Sequence, residues 1–204
     1  MKLLPFDDEI ILENETVLLR PLVGEDYSTL LHFAINEPTL WDYSHMPGNG
    51  KENMYNYLTT ALSKRAMKDS YPFIVFDKIT QKYAGSTRFY DYQKVHNTVQ
   101  LGYTWYGKEF QGTHVNKNCK YLMLEYAFEE LQVERVEFRA DNKNSRSIAA
   151  MKSIGCTVEG VLRNNCAAHK NGRRDSIILS ILKEEWFENR KAQLHSKLVA
   201  FNHV

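Results

Sequence analysis

The chain has 204 residues, 43% hydrophobic and 25% charged, with 26 basic and 25 acidic side chains that leave a formal net charge of +1. That balance gives no sign of the sustained basic field that a nucleic-acid or membrane partner demands, and leaves room only for a local patch. No run approaches the roughly 18–20 apolar residues a membrane helix needs.

Three cysteines, Cys119, Cys156 and Cys166, are too few and too oddly numbered for a disulfide framework, and they lack paired metal-ligand spacing. None has a recognisable histidine partner in the sequence. Asp7, Asp8 and Glu9 interrupt any basic-then-apolar leader pattern. The expectation is a cytoplasmic protein in a reducing compartment, without a metal.

In chain order, Thr16–Arg20 reads as a short strand stopped by Pro21. Asp26 precedes a helix with Tyr27, Leu30, Leu31 and Ala34 on one face. The span 36–50 reads as a loop, with Pro38, Pro47, Gly48 and Gly50 and with Trp41, Tyr43 and His45 among them. Such an aromatic loop either borders a substrate pocket or packs on the domain. A second helix is expected from about Glu52 to Lys68, with Met54, Leu58, Ala61 and Leu62 inward.

Strands follow at Tyr71–Phe76, Tyr83–Tyr92 and Thr98–Trp105, with a turn at Val95–Asn97 between the last two. Alternation in the last places Val99, Leu101, Tyr103 and Trp105 on one face. From His114 to Leu131 apolar residues recur at three- and four-residue steps, the signature of a core-facing helix. Val133–Ala140 alternates as a strand. Asp141–Asn144 supplies caps for a short helix through Ile154, closed by Gly155. Two strands, Thr157–Leu162 and Ser176–Leu182, are joined at Asn171–Gly172, and Glu184–Leu198 forms a polar helix anchored by Trp186 and Phe187. The order describes one α/β domain over residues 1–204, with an antiparallel stretch feeding a parallel crossover.

The chemistry-bearing stretch leaves the Thr98–Trp105 strand, passes Gly107 and Gly112, and enters the long helix at His114. A helix start exposes unpaired N–H groups at a positive dipole end, and glycine lets a phosphate approach the backbone. By itself this pattern is more often just a turn. The chain has no Gly-Lys-Ser/Thr phosphate loop, which disfavours a mononucleotide binder.

The stretches Gln100-Leu-Gly-Tyr-Thr-Trp105, Gln111-Gly-Thr-His-Val-Asn116, Leu124-Glu-Tyr-Ala-Phe-Glu-Glu-Leu131, Val136 through Ser147 and Gly155 through Arg163 come in the order and spacing of one family. Together they resemble the GNAT superfamily of N-acetyltransferases, and most closely the branch of RimJ and RimL, which acetylate ribosomal-protein N-termini. The resemblance implies the GNAT fold, a mixed, mostly antiparallel sheet splayed between its fourth and fifth strands. It implies acetyl-CoA as cosubstrate and an acetyl acceptor that is a primary amine, either a protein N-terminus or a small molecule.

Carried over residue by residue, the pyrophosphate would lie on the backbone of Gln111, Gly112, Thr113, His114, Val115 and Asn116, and Lys117 would add charge. The pantetheine arm would pair with Tyr103, Thr104 and Trp105. Asn144 would bind the same arm and Ser147 would protonate or hydrate the departing thiolate, although helix capping alone would account for both residues. Trp41, Tyr43 and Arg88 are the places where acceptor choice would be read.

Two positions depart from the family. His114 stands where the loop has glycine, so its imidazole is expected either to obstruct the phosphate or to donate to it. Gln100 stands where many relatives have glutamate, and an amide cannot accept a proton near neutral pH. The amine would then lose its proton to solvent, to another carboxylate such as Asp91, or to a histidine such as His96. These departures sustain an alternative from another class, a weakly catalytic or inactive CoA-binding module. The exposed-looking aromatics and the terminal helix would suit a homodimer.

Overall fold

The computed structural model describes residues 4–168 and 172–201. Among these residues eight strands form one sheet: β1 (Leu12–Glu13), β2 (Val17–Pro21), β3 (Ser70–Asp77), β4 (Lys82–Gln93), β5 (Thr98–Tyr106), β6 (Arg135–Asp141), β7 (Thr157–Ala167) and β8 (Arg173–Leu182). Their spatial order is β1-β2-β3-β4-β5-β6-β8-β7, antiparallel throughout except for β5 and β6. Among the described residues six α-helices accompany them: α1 (Tyr27–Asn36), α2 (Lys51–Ala66), α3 (His114–Glu125), α4 (Ser145–Ser153), the single turn α5 (Lys183–Glu185) and α6 (Lys191–Phe201).

The sheet is sandwiched. Phe33 of α1 and Tyr57 of α2 pack on Trp105 from one side, at ring separations of 5.5 and 6.3 Å. On the other side the apolar stripe of α3, Val115, Cys119 and Met123, is fully buried. The C-terminal segment covers α3 through Trp186, whose ring stacks on Phe128 at 5.6 Å and whose Nε1 donates to Glu129 at 2.9 Å. Phe187, expected as a second anchor, is 57% exposed. Residue 187 lies one position, roughly 100° of helix, round from the Trp186 stripe.

The long helix also departs from a uniform α repeat. After Glu125 it widens to a π turn, Tyr126–Glu130, where the Leu131 N–H reaches the Tyr126 carbonyl at 3.0 Å. At the N-terminal end Pro21 does not stop its strand. It pairs with Phe73 as the last residue of β2, a position at a strand end where a missing N–H is tolerated. β1, which no pattern announced, pairs only Leu12 and Glu13 with β2. β7 and β8 run longer than expected, and Asn171 of the expected turn lies outside the described residues.

Candidate acetyl-CoA and acceptor site

β5 and β6 are paired at three positions only, Thr98↔Arg135, Val99↔Val136 and Gln100↔Glu137. Beyond them β6 continues alongside β8, while β5 continues alongside β4, so the sheet opens into a V. Within that opening β5 carries a bulge: Ser86 faces Trp105 and Arg88 faces Gly102, so Tyr103 and Thr104 together oppose Thr87. Tyr103 takes φ +50°, a left-handed conformation that is costly for a bulky side chain.

Contacts hold the bulge from both faces. The Tyr103 ring lies over the Arg88 guanidinium at 4.2 Å and meets Tyr90 edge-on at 5.0 Å. The Thr104 hydroxyl is hydrogen-bonded to Thr87 at 2.7 Å and accepts from Lys120 Nζ at 2.7 Å. The extra residue shifts the alternation. Leu101 pairs with Phe89 on the α3 face, whereas Tyr103 and Trp105 turn to the α2 face, so the four residues expected on one face are divided.

The helix start lies beside this opening. Gly112 has φ +78° and stands exposed, a geometry that suits glycine and keeps the backbone approachable. Thr113 caps α3. It donates its hydroxyl to the Phe110 carbonyl at 2.7 Å and accepts the Val115 N–H at 3.3 Å. One donor of the first turn is thereby used within the chain, and the other first-turn donors have no intrahelical acceptor. The Gln111 side chain donates to the Tyr106 carbonyl at 2.8 Å and accepts from the Arg146 guanidinium, linking the loop to α4 across the opening.

On the far wall Asn144 caps α4 by accepting the Ser147 N–H at 3.1 Å, and Ser147, Met151 and Ile154 line the opening. The whole forms a continuous cleft of about 870 Å³ that runs from Asn116 and Lys117 past the bulge to Ser70 and Asp91 on the α2 side. At that second end the Gln100 amide donates to Asp91 Oδ2 at 2.6 Å. Burial keeps the Tyr90 phenol protonated well above its ordinary range.

A family model described as an acetyltransferase (GNAT) domain matches residues 16–157. The chain belongs to the GNAT acetyltransferase family. Among curated relatives, Bacillus subtilis "Putative ribosomal N-acetyltransferase YdaF" is 33% identical over 103 residues, 50% of this chain and 55% of that protein. The chain thus spans about half the length of the curated relatives it matches. A crystal structure of a "putative acetyltransferase" from T. thermophilus is 30% identical, with a TM-score of 0.83 over 92% of this chain and 96% of that one. Mycobacterium smegmatis RimJ in complex with CoA-disulfide superposes with a TM-score of 0.76, over 93% of each chain, at 16% identity, a likeness of fold alone. The α/β GNAT fold expected from the motifs therefore holds. The expected splay between the fourth and fifth strands falls between β5 and β6, because β1 adds one strand ahead of them.

Within this GNAT frame several expected residues stand elsewhere. The His114 imidazole neither blocks the loop nor faces it: its Nε2 lies 2.9 Å from the buried Asp77 carboxylate, away from the cleft. Val115 is core, with only its backbone at the helix start. Arg88 is fully buried between the Tyr57 and Tyr103 rings and does not line the cleft. Trp41, buried against Trp105 at 5.1 Å, does line the cleft as expected, and so does the half-exposed Tyr43. Of the two alternative bases, Asp91 lines the cleft, whereas His96 is exposed in the β4–β5 turn and does not. Cys166 does have a histidine neighbour, His45 Nε2 at 3.9 Å, brought from 121 residues away. Burial and Arg174 lower the His45 pKa.

Sequence reasoning missed Lys120 and Arg146. Lys120 sits four residues after Asn116, one turn along the helix face that carries the loop, and that spacing was the available signal.

Proposed function

We propose that this GNAT protein catalyses direct transfer of an acetyl group from acetyl-CoA to a primary amine. The observation that supports the reading most is the early parting of β5 from β6 beside the start of α3, which leaves one edge of β5 without a partner strand from Leu101 to Tyr106. Bound there, acetyl-CoA would supply an activated acyl carbonyl on a thioester. The backbone of Gln111 through Lys117 would hold its phosphates, helped by Arg146 and the Lys117 side chain. The freed backbone of Tyr103, Thr104 and Trp105 would take the pantetheine arm as an added strand, with Asn144 on the opposite wall.

At the acceptor end Asp91 takes the proton from the amine. Gln100 donates to Asp91 and so orients the carboxylate instead of acting as the base. The Ser147 hydroxyl returns a proton to the leaving thiolate. Most of the acceleration is positional, since both reacting groups are held in one cleft. The acceptor end also carries Tyr43 and Tyr90, rings that suit the flank of a peptide or an aliphatic amine. The names of the ribosomal-protein acetyltransferase relatives make a protein N-terminus the first acceptor to try.

The test is a thiol-release assay with acetyl-CoA against a panel of N-terminal peptides, polyamines and amino acids. Amine-dependent thiol release supports the reading. Saturable CoA binding with no release for any amine at any pH would instead establish the inactive CoA-binding alternative.

A further inference from the structure

Lys120 is a lysine in an unusual place. It belongs to α3, is 5% exposed, and yet lines the cleft immediately beneath the β5 bulge. No carboxylate lies within ion-pair range of it among the described residues. Its Nζ instead donates to two threonine hydroxyls, Thr104 at 2.7 Å and Thr87 at 3.2 Å. Those hydroxyls bond to each other at 2.7 Å.

This geometry suits a neutral amine. Two N–H bonds are spent on Thr104 and Thr87, and the remaining tetrahedral position is a lone pair. A protonated Nζ would carry a third N–H, which has no acceptor among the described residues. The surroundings act the same way: burial lowers the Lys120 pKa to about 7. At pH 7 such a side chain is about half neutral, against less than roughly 0.1% for an ordinary lysine with a pKa near 10.4. The other lysines lining the cleft differ. Lys64 is tied to Asp69 at 2.8 Å and its pKa is raised by that carboxylate. Lys117 sits at the loop end of the cleft, its pKa lowered by partial burial and by Lys197.

We infer that Lys120 is a self-acetylation site, a built-in amine facing the acetyl-CoA cleft that takes the acetyl group when no acceptor amine is bound. The inference rests on the acetyl-CoA reading of the cleft. Nζ attacks the acetyl carbonyl carbon; an N–C bond forms, the C–S bond breaks, and the proton lost from Nζ goes to the departing CoA sulfur. No oxidant or further reactant is required. The product is an amide that cannot be protonated and retains one N–H for the two threonines. It therefore loosens the clamp on the bulge and adds bulk where the thiol arm would run. Self-acetylation would accordingly slow later turnovers.

The experiment is incubation of the native protein with acetyl-CoA and no acceptor, from pH 6 to 9, followed by peptide mapping for the added acetyl mass. Thermal shift with CoA is run in parallel. The expected result is acetyl at Lys120 at least tenfold faster at pH 7 than at any other lysine, rising from pH 6 to 8 and then level. Heat-unfolded protein should lose that selectivity, and Lys120→Arg should lose the label at position 120. Label spread over exposed lysines, unchanged in Lys120→Arg, overturns the inference, as does label at Lys117 in place of Lys120. CoA binding with Lys120 unlabelled also overturns it but leaves acetyl transfer standing. No CoA binding overturns both.

Discussion

His114 and Lys120 stand six residues apart on α3 and are settled by opposite circumstances. A buried carboxylate draws the imidazole off the cleft, and burial without a carboxylate leaves the amine in it. His114→Ala should therefore leave CoA affinity, measured calorimetrically, within about threefold, while costing roughly 1.5–3 kcal/mol in urea unfolding as Asp77 loses a partner. A large loss of affinity would mean that the imidazole reaches the phosphates after all. For Lys120 the sign of the pH effect follows from its lowered pKa. Between about 7 and the unfolded value near 10.4, the unfolded chain holds a proton that the folded protein lacks, so stability rises with pH through that window. Below about 7 both states are protonated and the burial penalty stands in full. Lys120→Met removes the penalty, so its gain in stability should be greatest below pH 7 and shrink towards pH 10. A gain independent of pH would contradict a buried titrating amine. At the acceptor end, Asp91→Asn should lower kcat by about 10²–10⁴ with little change in the KM for acetyl-CoA. Gln100→Ala should fall in the same direction and less far, because the carboxylate remains but loses its donor.

The loop and α3 act as one element, and Gly112 is where its shape is most exposed to mutation. Nothing lies within 4 Å of an added Cβ, so Gly112→Ala meets no obstacle; its cost is the φ of +78°, roughly 1–2 kcal/mol. If the loop relaxes to avoid that cost, its N–H groups turn away and CoA affinity should drop by about tenfold; unchanged affinity would place the phosphates elsewhere. Gly112 and the amphipathic run after it were legible in the sequence, because a glycine before a helix and a 3.6-residue period are local signals. The bulge was not. Alternation reads Tyr103 and Trp105 as continuing Leu101, and no composition rule announces a tyrosine at positive φ. It is held there by Arg88 beneath it and by Lys120 through Thr104, contacts across 15 and 16 residues. The same distance rule hid the Asp77 partner of His114, 37 residues away, and the His45 neighbour of Cys166. Family motifs named the backbone that would hold CoA, but they could not say which side chains face it.

At the scale of the whole molecule, the sheet is two blocks meeting along a short seam. β1 to β5 form one block and β6, β8 and β7 the other, and three residue pairs join β5 to β6. α3 and the C-terminal segment brace the seam from one face through Phe128, Trp186 and Glu129, with Lys191 bonded to Glu129 at 2.7 Å. A ligand seated in the opening would touch both blocks, with β5 and the start of α3 on one wall and α4, which follows β6, on the other. Its binding energy should then appear as resistance to separation of the blocks rather than as local stiffening. At 100 times its dissociation constant CoA should add about 2.7 kcal/mol to stability. For a chain of this size that is a rise of roughly 5–11 °C in Tm. Hydrogen exchange should report where the gain falls: amides of β5 from Leu101 onward and of β6 should slow together, while those of β2 and β3, away from the seam, change little. Protection confined to the start of α3 would mean that only the phosphates are held. The thiol arm would then lie outside the opened sheet, and the reading of the cleft as an acetyl-transfer site would lose its structural basis.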